Sequence, residues 1–261
     1  MSSINMQTVI EVKNIEKTFK LNKSLAKQFF APFSHWEKFY ALKNISFSIE
    51  AGQILALVGA NGSGKTTLIR IIADLLLADQ GTVNIAGQNI KSNGCQIRKK
   101  IGYISSDERS FFWRLTGKEN LKFFGCLYGL SGRLLERRID CCLAEFDFEK
   151  ESRKLFRDYS AGMRKKLTII RALLHQPHIL LLDEVTNSLD LESAEKIKDI
   201  IKKYICAAPS RAAIWSTHRF EELNQLCEKV LMVEQGQVAF LGNVSQFSYY
   251  LKKQKQLSRV M

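Results

Sequence analysis

Residues Gly59-Ala60-Asn61-Gly62-Ser63-Gly64-Lys65-Thr66-Thr67 fit the pattern G-x-x-x-x-G-K-[ST], and their flanks decide what the pattern means. Before them Gln53-Ile54-Leu55-Ala56-Leu57-Val58 reads as a buried strand, and after them Leu68-Ile69-Arg70-Ile71-Ile72 reads as an apolar helix. Strand, glycine-rich loop and helix in this order make a phosphate-binding P-loop. Gly59, Gly62 and Gly64 let the backbone turn its N–H groups inward, and the start of the helix adds the positive end of its dipole. The loop is therefore shaped for a polyphosphate. Lys65 is expected at the β and γ phosphates, and Thr66 at a magnesium ion. The plain alternative is a glycine turn before an ordinary helix, and the flanking strand and helix argue against it.

On the N-terminal side, Thr8 to Ile15 and Asn44 to Ile49 alternate like strands, the second ending at the Glu50-Ala51-Gly52 turn. Between them, Lys20 to Tyr40 holds four Lys, one Glu and the rings of Phe29, Phe30, Phe33, His35, Trp36, Phe39 and Tyr40. This basic and aromatic stretch suits an amphipathic helix at a membrane interface or against a partner. It equally suits a loop folded onto its own domain. On the C-terminal side, Gly81 to Gly87 and Ile101 to Ile104 read as short strands. From Thr116 to about Leu174 the pattern turns helical, with Thr116-Gly117-Lys118-Glu119 as a capping box and Leu121, Phe124, Leu127 and Tyr128 expected on one face. A helical lobe is thus expected between strands of the core. Strands resume at Ile179 to Leu182, Ala212 to Ser216, Lys229 to Val233 and Val238 to Leu241, with a helix over Leu191 to Tyr204. That alternation is the mark of a parallel α/β sheet. Ser245 to Met261 reads as a helix and a basic tail.

Composition excludes several classes. A chain of 261 residues, 46% hydrophobic and 25% charged, buries a full core as one large domain or a domain with a sub-lobe. Apolar runs such as His178-Ile179-Leu180-Leu181-Leu182 fall far short of the roughly 20 residues that cross a bilayer. Met1 to Asn14 carries no basic stretch followed by an apolar one, so no secretory signal is read and a cytosolic chain is expected. Cysteines 95, 126, 141, 142, 206 and 227 show no C-x-x-C spacing and read as reduced thiols. The net charge of +13 is spread along the chain, and nothing resembles a groove-reading helix or an RNA-stacking motif, so no nucleic acid partner is expected. Anionic inner-leaflet lipids are the better use of that charge.

A second stretch, Ile179-Leu180-Leu181-Leu182-Asp183-Glu184, is a buried strand running into two acids at its C-terminal end, where ligands bind in open α/β sheets. Asp183 is expected to hold magnesium and Glu184 to polarise an attacking water. Alone, the pair reads equally as a helix cap; with a P-loop upstream it becomes specific.

Between these stretches lies Tyr159-Ser160-Ala161-Gly162-Met163, followed by the basic helix Arg164-Lys165-Lys166-Leu167. Here the sequence resembles the ATP-binding cassette (ABC) ATPases, whose signature is Leu-Ser-Gly-Gly-Gln at the start of a helix. Ser160 and Gly162 match it; Tyr159, Ala161 and Met163 depart from it. The resemblance implies that Ser160 and Gly162 close on the γ-phosphate held by a second copy. It also implies a D-loop at Asn187-Ser188-Leu189-Asp190, with Val185 where Pro is usual. Ser216-Thr217-His218 matches the switch, with His218 at the γ-phosphate. Phe19 matches the aromatic that stacks on adenine, with Tyr40 as a second candidate. Ser106 occupies the position of a magnesium-sensing Gln, and with its shorter hydroxyl the sensing would run through water, Asp107 or Glu108.

The fold implied is α/β: a P-loop NTPase (RecA-like) core with an antiparallel β subdomain and an inserted α-helical signature subdomain at about 115–175. The ATP-binding domain would span 8–243, with the insertion at about 20–40, followed by a C-terminal helix and tail at 244–261. ATP and Mg2+ are the implied cofactors. The implied partners are a second copy and a separate transmembrane permease, at the cytoplasmic face of the inner membrane. The insertion, the departing signature and the chain length resemble ABC-2 type exporters, including those that move polysaccharides or glycolipids. Other expectations are a drug or lipid exporter, an inactive or regulatory cassette motivated by Ser106 and Ala161, or a nucleic-acid-binding P-loop ATPase.

Overall fold

A strand that is buried at every position must be covered on both faces, and three such strands form the centre of this protein. The computed structural model describes residues 7–21, 37–105, 110–187, 189–208 and 210–257. Among the described residues, strands β1 (Thr8–Leu21), β2 (Glu37–Glu50), β4 (Gln80–Ile85) and β5 (Gln88–Asn89) form an antiparallel sheet in the order β2-β1-β4-β5. The second sheet holds β3 (Ile54–Val58), β6 (Ile101–Ile104), β7 (Ile179–Asp183), β8 (Ala212–Ser216), β9 (Lys229–Glu234) and β10 (Gln237–Asn243). Its order is β10-β9-β3-β8-β7-β6, parallel except where β10 turns back on β9. Every residue of β3, β7 and β8 is buried.

Among the described residues the α-helices are α1 (Lys65–Ile72), α2 (Ile90–Arg98), α3 (Gly117–Leu127), α4 (Gly132–Glu145), α5 (Ala161–Leu173), α6 (Leu191–Cys206), α7 (Phe220–Leu226) and α8 (Val244–Leu257). Side chains alternate along each central strand and so feed two different cores. Leu180, Leu182, Ala213 and Trp215 pack with α4, α5 and α6, while Ile179, Leu181 and Ile214 pack with α1 and the antiparallel sheet. A third cluster, with Val58, Val230, Leu223 and Phe247, lies under α7 and α8. The central strands are thus sandwiched, and their C-terminal ends emerge beside the P-loop.

Two expectations change. The stretch Lys20–Tyr40 is strand at both ends, where Phe19 pairs with Phe39 and Leu21 with Glu37, because the antiparallel ladder satisfies the backbone groups as far as those residues. Residues 22–36 of that stretch lie outside the described residues, as do Ser106, Asp107, Glu108, Ser188 and the tail 258–261. On α3, Leu121 is fully buried and Phe124 packs against the core, but Leu127 is 68% exposed. Six positions on at about 100° each, Leu127 is rotated about 120° off the seam that Leu121 and Tyr128 share. Tyr128 stacks on His175 with ring centroids 4.1 Å apart. The capping box is present, with Thr116 Oγ1 accepting from Glu119 N and Glu119 accepting from Thr116 N. The cysteines at 95, 126, 141, 142, 206 and 227 are all free thiols, and burial pushes that of Cys142 up to about 11.

Candidate nucleotide site

The loop between β3 and α1 is gripped from two sides. Gly64 has φ 111°, and a Cβ there would lie 2.6 Å from the Ala41 carbonyl oxygen on β2. Gly59 has φ 152°, and its Cβ would lie 2.2 Å from the Val233 carbonyl oxygen on β9. Only glycine fits either place. Gly236 in the β9–β10 turn donates its N–H to Ser63 O at 3.0 Å, and its carbonyl accepts from Lys43 N at 2.7 Å. The turn thereby ties the loop to β2. Lys65 is 5% exposed, and its Nζ donates to the carbonyls of Gly59 (2.8 Å) and Ala60 (3.0 Å). The ammonium is held at the loop's own backbone, at the positive end of α1.

Beside the loop opens a cleft of about 500 Å³. Asn61, Gly62, Gly64, Lys65, Thr66 and Thr67 line it from the loop, and Asp183 and Glu184 from the end of β7. Gly59, Ala60 and Ser63, in the same loop, are not among the lining residues. Phe19 and Phe39, opposite each other on paired strands, form an aromatic wall. Tyr40 is not among the lining residues; successive strand residues face opposite ways, and its ring lies under the Lys43 ammonium at 5.6 Å. Phe39, Arg70, Tyr103 and Ser105 also reach the cleft, and sequence reading had not singled them out. The signal was present for Phe39, two positions before Ala41 in the same alternation. Burial pushes the Tyr103 hydroxyl above its usual range, with Asp183 adding to the shift and a hydrogen bond from Arg70 opposing it.

Phe19 is held by what precedes it. The Asp79 carboxylate accepts from Lys17 Nζ, Thr18 Oγ1 and Thr18 N, each at 2.7 Å. Those bonds, Lys17's first, lower Asp79 to about 2.

Asp183 is 5% exposed, and its Oδ1 is buried with no hydrogen-bond partner among the described residues. A buried carboxylate oxygen left free at a cleft that also holds the Thr66 hydroxyl suits a hard divalent cation, and magnesium binds in this way through one or two carboxylates plus phosphates and water. Glu184 has φ 53°, a left-handed backbone that costs on the order of 1–3 kcal/mol for a non-glycine residue and collects at functional sites. Its N–H donates to Ser216 O at 3.2 Å and its Oε2 accepts from Asn187 Nδ2 at 2.8 Å. His218, just past β8, brings Nδ1 within 3.9 Å of Glu184 Oε1. Asp183 and Ser216 are paired across β7 and β8, so the sheet itself sets these groups side by side.

Ser160 and Gly162 stand elsewhere. Ser160 caps α5, its Oγ accepting from Met163 N at 3.2 Å, and is exposed. Neither residue lines the cleft of its own chain.

A family model described as "ABC transporter" matches residues 42–187. The "ABC transporter ATP-binding protein NatA" of Bacillus subtilis (strain 168) is 34% identical over 202 residues, 77% of this chain and 81% of that protein. The "Daunorubicin resistance ATP-binding protein DrrA3" of Streptomyces coeruleorubidus is 30% identical over 79% of this chain and 64% of its own length. The "Nod factor export ATP-binding protein I" of Ralstonia nicotianae is 30% identical over 74% of this chain and 59% of its own. Among solved structures, a post-hydrolysis dimer of an ATP-binding cassette bound to ADP and Pi superposes with a TM-score of 0.77 at 26% identity, covering 90% of this chain and 98% of that one. Family match, relatives and fold agree: the chain belongs to the ABC transporter ATPases.

Proposed function

We propose that the chain works as the ATP-hydrolysing subunit of an exporter, two copies closing head to tail over two ATP molecules. The observation that carries this reading is the separation of Ser160 and Gly162 from a cleft that is otherwise furnished for a nucleotide. Phe19 and Phe39 offer a wall for the adenine ring, and the P-loop N–H groups with Lys65 cradle the β and γ phosphates. Thr66 and Asp183 would hold Mg2+, which supplies charge neutralisation on the phosphates. Glu184 orients and polarises the attacking water, and His218 faces the γ-phosphate from the next strand. The second copy's α5 N-terminus, with Ser160 and Gly162, closes the site from above. This reading is supported by the dimeric cassettes that share the fold.

Among the described residues no helix is long and apolar enough to cross a membrane. A separate membrane subunit would therefore carry the substrate, with this chain docked at the cytoplasmic face. Relatives named for drug resistance and Nod factor export support export over import. The cargo we assign is a polysaccharide, glycolipid or other lipophilic molecule. The test is Glu184→Gln, which should trap an ATP-dependent dimer visible by size-exclusion chromatography. A chain that stays monomeric in saturating ATP overturns the sandwich. Vesicles reconstituted with the membrane subunit should then export labelled glycolipid only with ATP on this chain's side.

A further inference from the structure

Glu222 on α7 is 3% exposed, and a carboxylate so placed is costly unless both oxygens are satisfied. Both are. Oε1 accepts from Thr186 Oγ1 at 2.7 Å, and Oε2 accepts from Trp215 Nε1 at 3.0 Å, with Thr186 1% and Trp215 0% exposed. The two donors belong to the two segments that matter most. Thr186 lies just beyond Glu184, and Trp215 lies just before the Ser216-Thr217-His218 turn.

The β7–β8 ladder joins these segments only as far as Asp183 and Ser216. Past that point Glu184 adopts its left-handed backbone and is tied to β8 by one backbone bond, its N–H to Ser216 O; among the described residues no further backbone bond joins the two segments, so the ladder alone does not set the distance between the Glu184 carboxylate and the His218 ring. We infer that Glu222 is a positioning residue, whose carboxylate clamps the Glu184 segment to the His218 strand and so fixes the separation of the two groups at the γ-phosphate. This rests on the roles proposed above for Glu184 and His218. Glu222 is not among the residues that line the cleft. It acts through Thr186 and Trp215, whose buried hydrogen bonds in a low-dielectric interior restrict both segments.

The test compares two full-length Thr186 variants with the wild type by ATPase rate and ATP affinity, melting temperature showing whether each is folded. Thr186→Val keeps the shape and removes one bond to Glu222, and Thr186→Ser keeps the hydroxyl. Thr186→Val should lower kcat about tenfold with Kd for ATP within about twofold, the signature of misplaced chemistry rather than lost binding. Thr186→Ser should stay within about threefold of the wild-type kcat. Thr186→Ala replaces Thr186→Val if the latter does not fold. The inference is overturned if Thr186→Val retains the wild-type kcat, if Thr186→Ser is impaired equally, or if ATP affinity falls in step with kcat. Glu184→Gln, run alongside, separates the two failures. An active Glu184→Gln overturns the assignment of Glu184 and the clamp with it, whereas an inactive Glu184→Gln beside a fully active Thr186→Val overturns the clamp alone.

Discussion

At the P-loop, neighbouring backbone comes within 2.6 Å of where a Gly64 Cβ would sit; at Gly162 the nearest atom is 3.7 Å away, in the Leu189 side chain. The first glycine is demanded by its own chain. The second has ordinary room in its own chain, and its backbone stays out of the left-handed region. Likewise, among the described residues Lys65 is buried and bonded on its loop and Asp183 is buried with one oxygen unpartnered, whereas Ser160 is exposed and caps α5. Both regions start a helix, and both helix starts favour an anion. One is enclosed by the fold; the other is not, and in the function proposed above its residues serve the nucleotide of a second copy.

Variants on each side separate the two. Lys65→Ala should weaken ATP binding about a hundredfold, since charge-assisted hydrogen bonds contribute about 1.5–3 kcal/mol each. Isothermal titration checks this, and unchanged affinity would remove the P-loop from the site. Gly64→Ala should destabilise the isolated chain by about 1–3 kcal/mol in denaturant melts, through strain at a left-handed residue and collision with β2. Gly162→Ala should leave the stability of the single chain within about 0.5 kcal/mol and its ATP affinity intact, while slowing turnover and weakening the ATP-dependent dimer. If Gly162→Ala instead melts the single chain as Gly64→Ala does, the contrast between the two regions is lost.

The smallest effect lies at the rim. Asp79 holds Lys17 and Thr18 just before Phe19, and its carboxyl is lowered from 3.8 to about 2. A depressed carboxylate contributes stability above its unfolded value, and that contribution fades as pH falls from about 4 through about 2. Because Asp79 is 39% exposed, screening keeps the contribution of the pair to about 0.2–1 kcal/mol. Asp79→Asn should therefore lower the melting temperature slightly at neutral pH and not below pH about 2, and it should weaken ATP binding by a few fold through a looser Phe19. An unchanged ATP affinity would separate the strand tie from the aromatic wall.

Much was legible because the signals are local. The glycine spacing, the apolar strand running into Asp183 and Glu184, and the Thr116 capping box each depend on residues close in sequence, and each stands in the structure where its pattern placed it. Misreadings came where a pattern had to be projected across elements. Phe39 and Tyr40 are adjacent aromatics, and only the pairing of Phe19 with Phe39 shows which of them shares the cleft wall, Tyr40 lying with Gly62 at a neighbouring pocket. Leu127 follows an apolar series but sits off the seam. Tyr103 and Ser105 carry no motif of their own and reach the cleft only because β6 lies beside β7 in the sheet, while Arg70 reaches it from α1.

The sequence by itself determined the phosphate loop, the acids that follow a buried strand, the order of strands and helices, and the family. These rest on short-range backbone preference and on apolar periodicity, which the chain states directly. Tertiary structure alone decided which faces of the central strands feed which core, because side-chain alternation is invisible along their continuous apolar runs. It alone brought Glu222 between Thr186 and Trp215, since a buried carboxylate finds its donors through packing rather than spacing. And it alone showed that Ser160 and Gly162 stand apart from the cleft of their own chain, a matter of distance between elements that no local pattern encodes.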